Sequence, residues 1–397
     1  MNIKTSRRKF LQGTGAALGA AATGFPTFAI GQTAKIKIGI MMPFTGTYAQ
    51  LGEAGFNALK LALTASGGKL GGRDVEYITL DDESNPARGP ANAEKLIKES
   101  NVDILYGTVH SGVVMGMVKI ARETGTLLMI PNAGAGAATG PLCAPNIFRS
   151  SFSNWQPPFP MGKVAYDKGY RNVVTMTWKY GAGEEAIGGF TEGFTALGGK
   201  IVKEIMVPFP DVEFQANLAE IASLKPDAVF VFFAGGGAAK YVKDYAAAGL
   251  RKSIPLLGSG FLTEGVLQAQ GEAAEGILTT LHYADNLDLP TNKKFRADYK
   301  KAFNKEADIY AVQGYDAGLL LAAGFKAVKG DTGAKAELYK AMEAATIDSP
   351  RGKFTLSKAH NPIQDIYLRE VRKGQNEVIG VAHKALADPA RGCKLTG

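Results

Sequence analysis

Short apolar runs alternate with amphipathic segments along most of the chain, and this alternation predicts its secondary structure. Residues 36–41 form an Ile- and Met-rich run, which is typical of a strand buried in a parallel sheet. Pro43 ends the run, and a loop with Gly46 and Gly52 follows. From Glu53 onward, apolar residues recur at helical spacing. This opening segment therefore predicts a strand, a long glycine-containing loop and a helix.

The same unit recurs on both sides of a Gly- and Ala-rich loop at residues 131–145. Before that loop, the pattern predicts strands at 75–80, 102–107 and 126–130 and helices at 87–99 and 113–124. After it, the pattern predicts strands at 172–177, 200–207, 228–233 and 254–257 and helices at 184–197, 213–224 and 238–248. Helices at 292–328 and 334–345 then precede strands at 351–356, 363–371 and 377–382.

This alternation predicts an α/β fold of two lobes, each with a parallel sheet, and a ligand cleft between them. Strands that follow the last helices indicate that the chain crosses between the lobes more than once. Loops after parallel strands meet at one edge of a sheet, where open α/β folds bind ligands. The first such loop carries Thr, Tyr, Gln and Gly but no nucleophile–base pair. We therefore expect it to hold a ligand rather than to react with one.

Composition agrees with an ordinary globular protein that binds no nucleic acid. The 397 residues suffice for about two domains, with 46% hydrophobic and 21% charged residues. The formal charge is +8, but four of the basic residues lie among the first nine. The remaining charges are nearly balanced and interspersed, without the basic stripe and interleaved aromatic residues of a nucleic-acid binder.

The N-terminus has the features of an export signal. The sequence SRRKFL at residues 6–11 is a twin-arginine motif, followed by a weakly apolar Ala/Gly run and a small-residue site at 27–29. The run is too short and too rich in Gly to span a membrane. We therefore predict a twin-arginine signal peptide at residues 1–29 and a soluble protein in the periplasm. A chance basic terminus before a disordered tail is the alternative.

The chain contains two cysteines, Cys143 and Cys393. In an oxidising compartment such a pair predicts one disulfide, which would fasten the C-terminal tail to the body of the protein. Two buried free thiols are the alternative.

Two acidic or glycine-rich patterns suggest cofactors at first sight. GAGEEA at residues 181–186 matches a dinucleotide-binding pattern, but Glu184 and Glu185 would occupy the helical turn where a pyrophosphate sits. The acidic run at 81–83 could bind a metal, but consecutive residues at the end of a strand point in different directions. Solvated charges and capping account for it better. We expect no metal and no cofactor.

The sequence also lacks a catalytic set. The four histidines have no metal-binding spacing, and no nucleophile elbow or phosphate-binding loop occurs. His110 and Ser111 are adjacent, but neighbouring side chains in a loop diverge. Ser111 can instead cap the following helix and offer its hydroxyl to a carboxylate, the alternative being a plain cap. Tyr180 and Phe261, beside glycine-rich loops, are candidates for the wall of a cleft.

Several segments in order resemble type I periplasmic solute-binding proteins of the branched-chain amino acid ABC transporter family. They are IGIMMPFTGTYAQLGEAGFNALKLAL, YGTVHSG, MIPNAGAGAATGP, AAEGI and GYDAGLLLAA. The resemblance extends from Lys35 to the C-terminus. It implies two Rossmann-like lobes joined by a three-crossover hinge, with residues 35–153 and 283–357 in the N-terminal lobe and 154–282 and 358–397 in the C-terminal lobe. It also implies a monomer that is not an enzyme and delivers its ligand to a membrane permease driven by an ATPase.

The resemblance also implies the residues of the ligand site. Leu51 corresponds to a residue that packs against the ligand, and Ser111 to the hydroxyl that holds its carboxylate. The other expected ligand-binding residues are Asn132, Ala133 and Gly134 in the next contact loop, Tyr180 in the second lobe, Gly236 or Gly237, and Phe261.

One departure from the family changes the expected ligand. Amino acid binders of the family hold the α-ammonium with an acidic residue in the loop that matches residues 258–261, and this loop has none. Glu264 comes later, and an ammonium buried without a partner is costly. Similar proteins without this acid bind aromatic carboxylates, so we expect a benzoate, hydroxybenzoate or phenylpropenoate. The alternatives are a branched-chain amino acid or amide, a ligand-sensing role, and a periplasmic enzyme.

Overall fold

The computed structural model describes residues 34–396, so the predicted signal peptide at 1–29 lies outside the described residues. Within this range the strands are β1 (Ile36–Met42), β2 (Lys69–Leu70), β3 (Arg73–Asp81), β4 (Ile104–Gly107), β5 (Leu127–Ile130), β6 (Ile147–Arg149), β7 (Asn172–Lys179), β8 (Lys200–Pro208), β9 (Ala228–Phe232), β10 (Leu256–Ser259), β11 (Leu278–Leu281), β12 (Thr355–Leu356), β13 (Pro362–Arg372) and β14 (Gln375–Leu386). The helices are α1 (Ala49–Thr64), α2 (Arg88–Glu94), α3 (Ser111–Thr124), α4 (Gly136–Thr139), α5 (Pro158–Asp167), α6 (Gly181–Thr195), α7 (Gln215–Leu224), α8 (Gly235–Ala247), α9 (Leu267–Gln270), α10 (Pro290–Phe303), α11 (Ile309–Ala327) and α12 (Lys335–Glu343).

The first lobe is built on a six-stranded sheet in the order β2-β3-β1-β4-β5-β6. Apart from the β2–β3 pairing, its neighbouring strands run parallel. The central strand β1 pairs with both β3 and β4, and Ile38 lies opposite Ile104. Both side chains are fully buried. The continuous apolar runs thus form strands covered on both faces, as the sequence predicts.

The second lobe is built on an eight-stranded sheet that is parallel from β11 through β10, β9 and β7 to β8. The last strands extend it in the antiparallel sense: β13 pairs with β11, and β12 and β14 pair with β13. The two parallel-dominated sheets confirm the predicted α/β fold with two lobes.

Helix α11 packs against α1 of the first lobe, although it follows strands of the second lobe. The two helices approach so closely that a methyl group on Gly314 would lie 2.1 Å from the carbonyl oxygen of Gly55. A methyl group on Gly318 would lie 2.6 Å from Cβ of Ala62. The chain therefore passes to the second lobe after β6, returns after β11, and passes back before β12. The residue boundaries predicted for the lobes stay a prediction.

The local predictions differ from the structure mainly at the boundaries of elements. The first helix begins at Ala49 rather than near Glu53, and the loop at 131–145 contains the short helix α4. The strand predicted at 351–356 shortens to Thr355–Leu356. Helix α5 and strand β11 were not predicted. Tertiary packing sets these boundaries, and local patterns carry little of that information.

A disulfide joins Cys143 and Cys393, with a Cα–Cα distance of 5.5 Å across a sequence separation of 250 residues. Cys143 precedes β6 of the first lobe, and Cys393 lies in the tail after β14 of the second. The predicted pairing is therefore confirmed. Besides the disulfide, an exposed ion pair between Arg391 and Glu192, with an N–O distance of 2.8 Å, also holds the tail.

Replacing both cysteines by serine is expected to lower the free energy of unfolding by about 2 kcal/mol, near the low end for native disulfides. The loss is modest because Arg391 still anchors the tail. Urea unfolding without reductant measures the difference. Dithiothreitol should destabilise the wild-type protein by the same amount and leave the variant unchanged; an equal effect on both would contradict the prediction.

No helix among residues 34–396 is long and apolar enough to cross a membrane.

Candidate functional site

A small cavity lies where the carboxyl ends of strands from both sheets face each other. Its volume is about 20 Å³, room for roughly one water molecule. First-lobe residues and the segment that leaves this lobe supply Tyr48, Leu51, Val109, Ser111, Asn132, Gly134, Phe152, Asn154 and Tyr310. The second lobe supplies Tyr180, Ala182, Phe232, Ala234 and Phe261. Most of these residues follow a parallel strand or begin a helix, as expected for a ligand site in an α/β fold.

The polar end of the cavity is formed by Ser111, Asn132 and Asn154, all nearly fully buried. Asn154 donates from Nδ2 to Ser111 Oγ at 3.1 Å. Asn132 donates from Nδ2 to Oε1 of Gln313 at 2.6 Å. Ser111 is the first residue of α3, so the positive end of the helix dipole reaches this part of the cavity. The Ser111 hydroxyl, the Asn132 amide and the helix N-terminus can together donate hydrogen bonds to a carboxylate.

His110, rather than Ser111, is the N-cap of α3, so the prediction that Ser111 caps this helix is wrong. His110 accepts the backbone N–H of Gly112 at its Nδ1, at 3.0 Å. Burial lowers the pKa of His110 to about 4, so the ring is neutral near pH 7. Its neighbours include the rings of Tyr180 and Phe209, each with a centroid distance of 4.9 Å. His110 and Ser111 thus contact different partners and do not form a nucleophile–base pair.

Arg149, which is fully buried, holds the loop that carries Asn132 and Gly134. Its guanidinium donates to the carbonyl oxygen of Ala135 at 2.8 Å and to Oδ1 of Asn361 at 2.7 Å. It also donates to the hydroxyl of Thr139. Burial lowers the pKa of Arg149 to about 10, which leaves it a cation at neutral pH. One side chain therefore holds the backbone of a loop that is rich in Gly and Ala.

Glu185, on α6 of the second lobe, also contacts this loop. Each of its carboxylate oxygens lies 3.0 Å from the backbone nitrogen of Gly136, which donates to them. Oε2 also accepts from Asn154 Nδ2 at 2.8 Å, and the same amide nitrogen donates to Ser111. Asn154 thus links the polar end of the cavity to a contact between the lobes.

Six of the lining residues are aromatic, and they form the rest of the wall. The hydroxyls of Tyr48 and Tyr180 come from different lobes and are hydrogen-bonded at 2.9 Å. Phe261 lies between two other rings, with centroid distances of 4.6 Å to Phe152 and 6.0 Å to Tyr310. Burial raises the pKa of Tyr48, Tyr180 and Tyr310 well above the usual value of a phenol. All three hydroxyls are therefore protonated at neutral pH.

Glu264 lies outside this cavity and is engaged elsewhere. Its Oε1 lies 2.5 Å from Nη1 of Arg369, and both side chains are almost completely buried. Its Oε2 accepts the backbone N–H of Ile309 at 3.3 Å. The carboxylate is therefore neutralised by an arginine and is not free to hold a ligand ammonium.

The acidic run at 81–83 organises the loop after β1. Asp81 accepts the backbone N–H of Phe44 at 2.9 Å and the hydroxyl of Thr45 at 2.6 Å. Asp82 accepts the backbone N–H of Ser84 at 2.8 Å. No group of three or more metal-binding side chains occurs among residues 34–396. These hydrogen bonds agree with capping, but Asp82 is fully buried, so the prediction of a solvated charge is wrong for this residue.

The GAGEEA segment at 181–186 forms the start of α6, as its glycines suggest. Its second glutamate binds the loop of the first lobe, as described above. An acceptor therefore occupies the turn where a dinucleotide would need backbone donors. This geometry favours the interpretation as a glycine loop.

Of the eight residues expected to bind the ligand, six line the cavity: Leu51, Ser111, Asn132, Gly134, Tyr180 and Phe261. Ala133 is buried behind the wall, and its N–H donates to the carbonyl oxygen of Thr108 at 2.9 Å. Gly236 is exposed in the first turn of α8 and does not line the cavity. The adjacent Ala234 does so instead.

Sequence reasoning missed several lining residues, chiefly Phe152, Asn154, Phe232 and Tyr310. Phe232 ends a strand, and period-two alternation cannot distinguish a core position there from a wall position. Phe152 and Asn154 lie in the segment that joins the lobes, where the pattern shows no regular element. Tyr310 lies in a helix far along the chain, and only the return of α11 to α1 brings it to the cavity.

Comparisons with known proteins by sequence and by structure agree with each other. A family model described as periplasmic binding protein matches residues 35–376. Leu/Ile/Val-binding protein homolog 6 of Brucella abortus (strain 2308) is 31% identical over 370 residues, which cover 90% of this chain and 93% of the relative. The structure is also similar to solved solute-binding proteins of ABC transporters.

At least four of the similar solved proteins were crystallised with an aromatic acid. One, from R. palustris in complex with benzoate, is 52% identical and has a TM-score of 0.89, covering 91% of this chain and 100% of that chain. Another, from Rhodopseudomonas palustris BisB5 in complex with 3,4-dihydroxy benzoic acid, is 31% identical with a TM-score of 0.85. That match covers 89% of this chain and 99% of the other.

Proposed function

Because this chain belongs to the periplasmic binding protein family, we propose that it is the solute-binding component of an ABC importer and that its solute is an aromatic carboxylate. In this role it collects the acid in the periplasm and delivers it to a membrane permease driven by an ATPase. The related proteins in complex with benzoate and 3,4-dihydroxy benzoic acid support this class of ligand. Export by the twin-arginine route is part of the proposal and rests on residues 6–11 alone.

The observation that carries the proposal is the uncharged lining of the cavity. Among the described residues that line it, none is Asp, Glu, Lys or Arg, and six are aromatic. An amino acid brings an ammonium group as well as a carboxylate, and a buried ammonium without a carboxylate partner is costly. Glu264 does not supply that partner, because it is paired with Arg369. A monocarboxylate with an apolar body fits this lining better than leucine does.

Ser111, Asn132 and the N-terminus of α3 form the end of the cavity suited to the carboxylate, and Asn154 holds Ser111 in place. Hydrogen bonds to a charged group contribute about 1.5–3 kcal/mol each, and a helix N-terminus favours an anion. The ring then lies among the aromatic side chains, with Leu51 and Phe261 against it. Micromolar binding requires about 8 kcal/mol in total, which ring burial and a few such bonds can supply.

Binding also requires the walls of the cavity to move. A benzene molecule needs a cavity of about 150 Å³, several times the 20 Å³ available between the closed walls. Because the walls come from both lobes, separation of the lobes admits the ligand, and closure then buries it. The hydrogen bond between Tyr48 and Tyr180 and the contacts of Glu185 break on opening and re-form on closure. This is the hinge type of domain closure.

Ser111→Ala tests the proposal. The variant is expected to bind benzoate and 4-hydroxybenzoate about tenfold more weakly, because one hydrogen bond to the carboxylate is lost while Asn132 and the helix N-terminus remain. Isothermal titration of the mature protein, residues 35–397, measures both affinities, with leucine as the competing ligand. Methyl benzoate, which lacks the charge, is expected to bind weakly to both proteins.

Ser223→Ala is the matched control, since Ser223 is exposed on α7 and bonds only locally to the carbonyl oxygen of Glu220. It should bind like the wild-type protein. Binding of leucine without binding of any aromatic acid would overturn the proposed ligand class. Equal affinity of Ser111→Ala and wild type for benzoate would show that the carboxylate lies elsewhere.

A further inference from the structure

The hydroxyl of Tyr310 is buried at the cavity without a hydrogen-bond partner among the described residues. The residue is only 3% exposed and lies in the first turn of α11. The other two phenols of the wall, Tyr48 and Tyr180, satisfy each other. A buried hydroxyl left unpaired is unfavourable, because it has given up its hydrogen bonds to water. Tyr310 therefore has an unused hydrogen-bonding group at a surface that a bound ligand would touch.

The surroundings of Tyr310 are unsuitable for a carboxylate. A methyl group on Gly265 would lie 3.0 Å from Oδ2 of Asp308 and 3.8 Å from the ring of Tyr310, so the acid and the phenol are neighbours. Glu264 lies close as well, since it accepts the N–H of Ile309, the preceding residue. Both acids line a neighbouring crevice of about 830 Å³. Glu264 is paired with Arg369, so Asp308 is the acid that disfavours an anionic group at this end of the cavity.

At the opposite end, the carboxylate of Glu185 already accepts hydrogen bonds from Asn154 and from the backbone N–H of Gly136. Ser111 and Asn154 lie there, beside the N-terminus of α3. From Asn154 the wall continues through Phe152 and Phe261 to Tyr310, ring against ring. A ligand whose carboxylate meets Ser111 therefore directs the far edge of its ring toward Tyr310. A neutral hydrogen-bonding group on that edge would meet the free hydroxyl.

We propose that Tyr310 determines specificity within the proposed ligand class: its hydroxyl hydrogen-bonds a ring hydroxyl at the end of the aromatic acid opposite the carboxylate. The preferred ligands are hydroxylated aromatic acids of the 4-hydroxybenzoate type rather than benzoate itself. The inference rests on the proposed function and goes beyond it. Sites that bind a ligand hydroxyl with a buried polar group discriminate against the analogue that lacks it, because the polar group is then left unpaired.

The test compares two ligands on three proteins by isothermal titration. Wild type is expected to bind 4-hydroxybenzoate about tenfold more tightly than benzoate. In Tyr310→Phe this preference should fall to about onefold, because 4-hydroxybenzoate loses its partner and benzoate no longer buries an unpaired hydroxyl. Tyr315→Phe is the matched control, since Tyr315 lies on the same helix but packs against Phe295, with ring centroids 4.8 Å apart. It should keep the tenfold preference.

Thermal unfolding of Tyr310→Phe, in the presence and absence of benzoate, shows whether the variant is folded and occupied. If it does not fold, 4-methylbenzoate and 3-hydroxybenzoate on wild type replace it. Neither should exceed benzoate in affinity, because the first lacks the hydroxyl and the second carries it away from the end opposite the carboxylate. The inference is overturned if wild type binds the two acids equally or if Tyr310→Phe keeps the preference. Failure of wild type to bind either acid would overturn the proposed function as well, so the two failures are distinguishable.

Discussion

Arg369→Met is expected to lower the free energy of unfolding by about 3–5 kcal/mol, because it leaves the carboxylate of Glu264 buried without a countercharge. Arg369 lies on β13, is fully buried, and donates to Oε1 of Glu264 at 2.5 Å. Its guanidinium also donates to the carbonyl oxygen of Tyr283 at 2.7 Å and to the hydroxyl of Thr279. Methionine fills much of the same space but satisfies none of these acceptors.

Urea denaturation of the ligand-free protein measures the loss. Arg372→Met, on the same strand, is the control, since Arg372 is half exposed and its pair with Glu370 should contribute less than about 1 kcal/mol. The double variant Arg369→Met/Glu264→Leu should regain a large part of the loss, because both charges are then gone. A loss below 1 kcal/mol in Arg369→Met would mean that water or another cation reaches Glu264.

The ion pair between Glu264 and Arg369 shows why part of the site could be predicted from the sequence and part could not. The absence of an acid from the loop at 258–261 is visible in the sequence and predicts the loss of an ammonium site. Whether Glu264 replaces that acid depends on Arg369, about a hundred residues away, and on the pairing of β11 with β13. Sequence spacing contains no signal for such a long-range partner, so only the structure excludes Glu264.

The fold was more predictable than the wall of the cavity. Apolar runs such as residues 36–41 are long and regular enough to identify strands, and glycine-rich loops after them locate the edge of the sheet. Ser111 and Tyr180 each follow a predicted strand, so their position at this edge could be predicted from the sequence. Asn154 and Tyr310 reach the cavity because the chain crosses between the lobes. The local hydrophobic pattern of the sequence does not indicate where such a crossing occurs. Tyr310 is therefore found from the geometry of α1 and α11, not from its own neighbours in sequence.

Arg149→Met is expected to lower the free energy of unfolding by about 3 kcal/mol and to weaken aromatic-acid binding together with it, because several buried acceptors lose their donor. Arg149 holds the carbonyl oxygen of Ala135, the amide oxygen of Asn361 and the hydroxyl of Thr139. These groups lie on two segments, the loop at 131–145 and the residue before β13, so one guanidinium fixes the loop that places Asn132 and Gly134 at the cavity. Without it, ordering this loop becomes part of the cost of binding the ligand.

Arg149→Lys separates the charge from the geometry. An ammonium keeps the positive charge but cannot reach three separate acceptors in the plane of a guanidinium, so this variant should recover less than half of the lost stability. Arg122→Met, at an exposed position on α3, should remain close to wild type in both stability and affinity. Urea denaturation and benzoate titration of the same preparations provide both readouts. Full recovery of the free energy of unfolding in Arg149→Lys would show that the charge of Arg149, rather than the planar arrangement of its N–H donors, holds the loop in place.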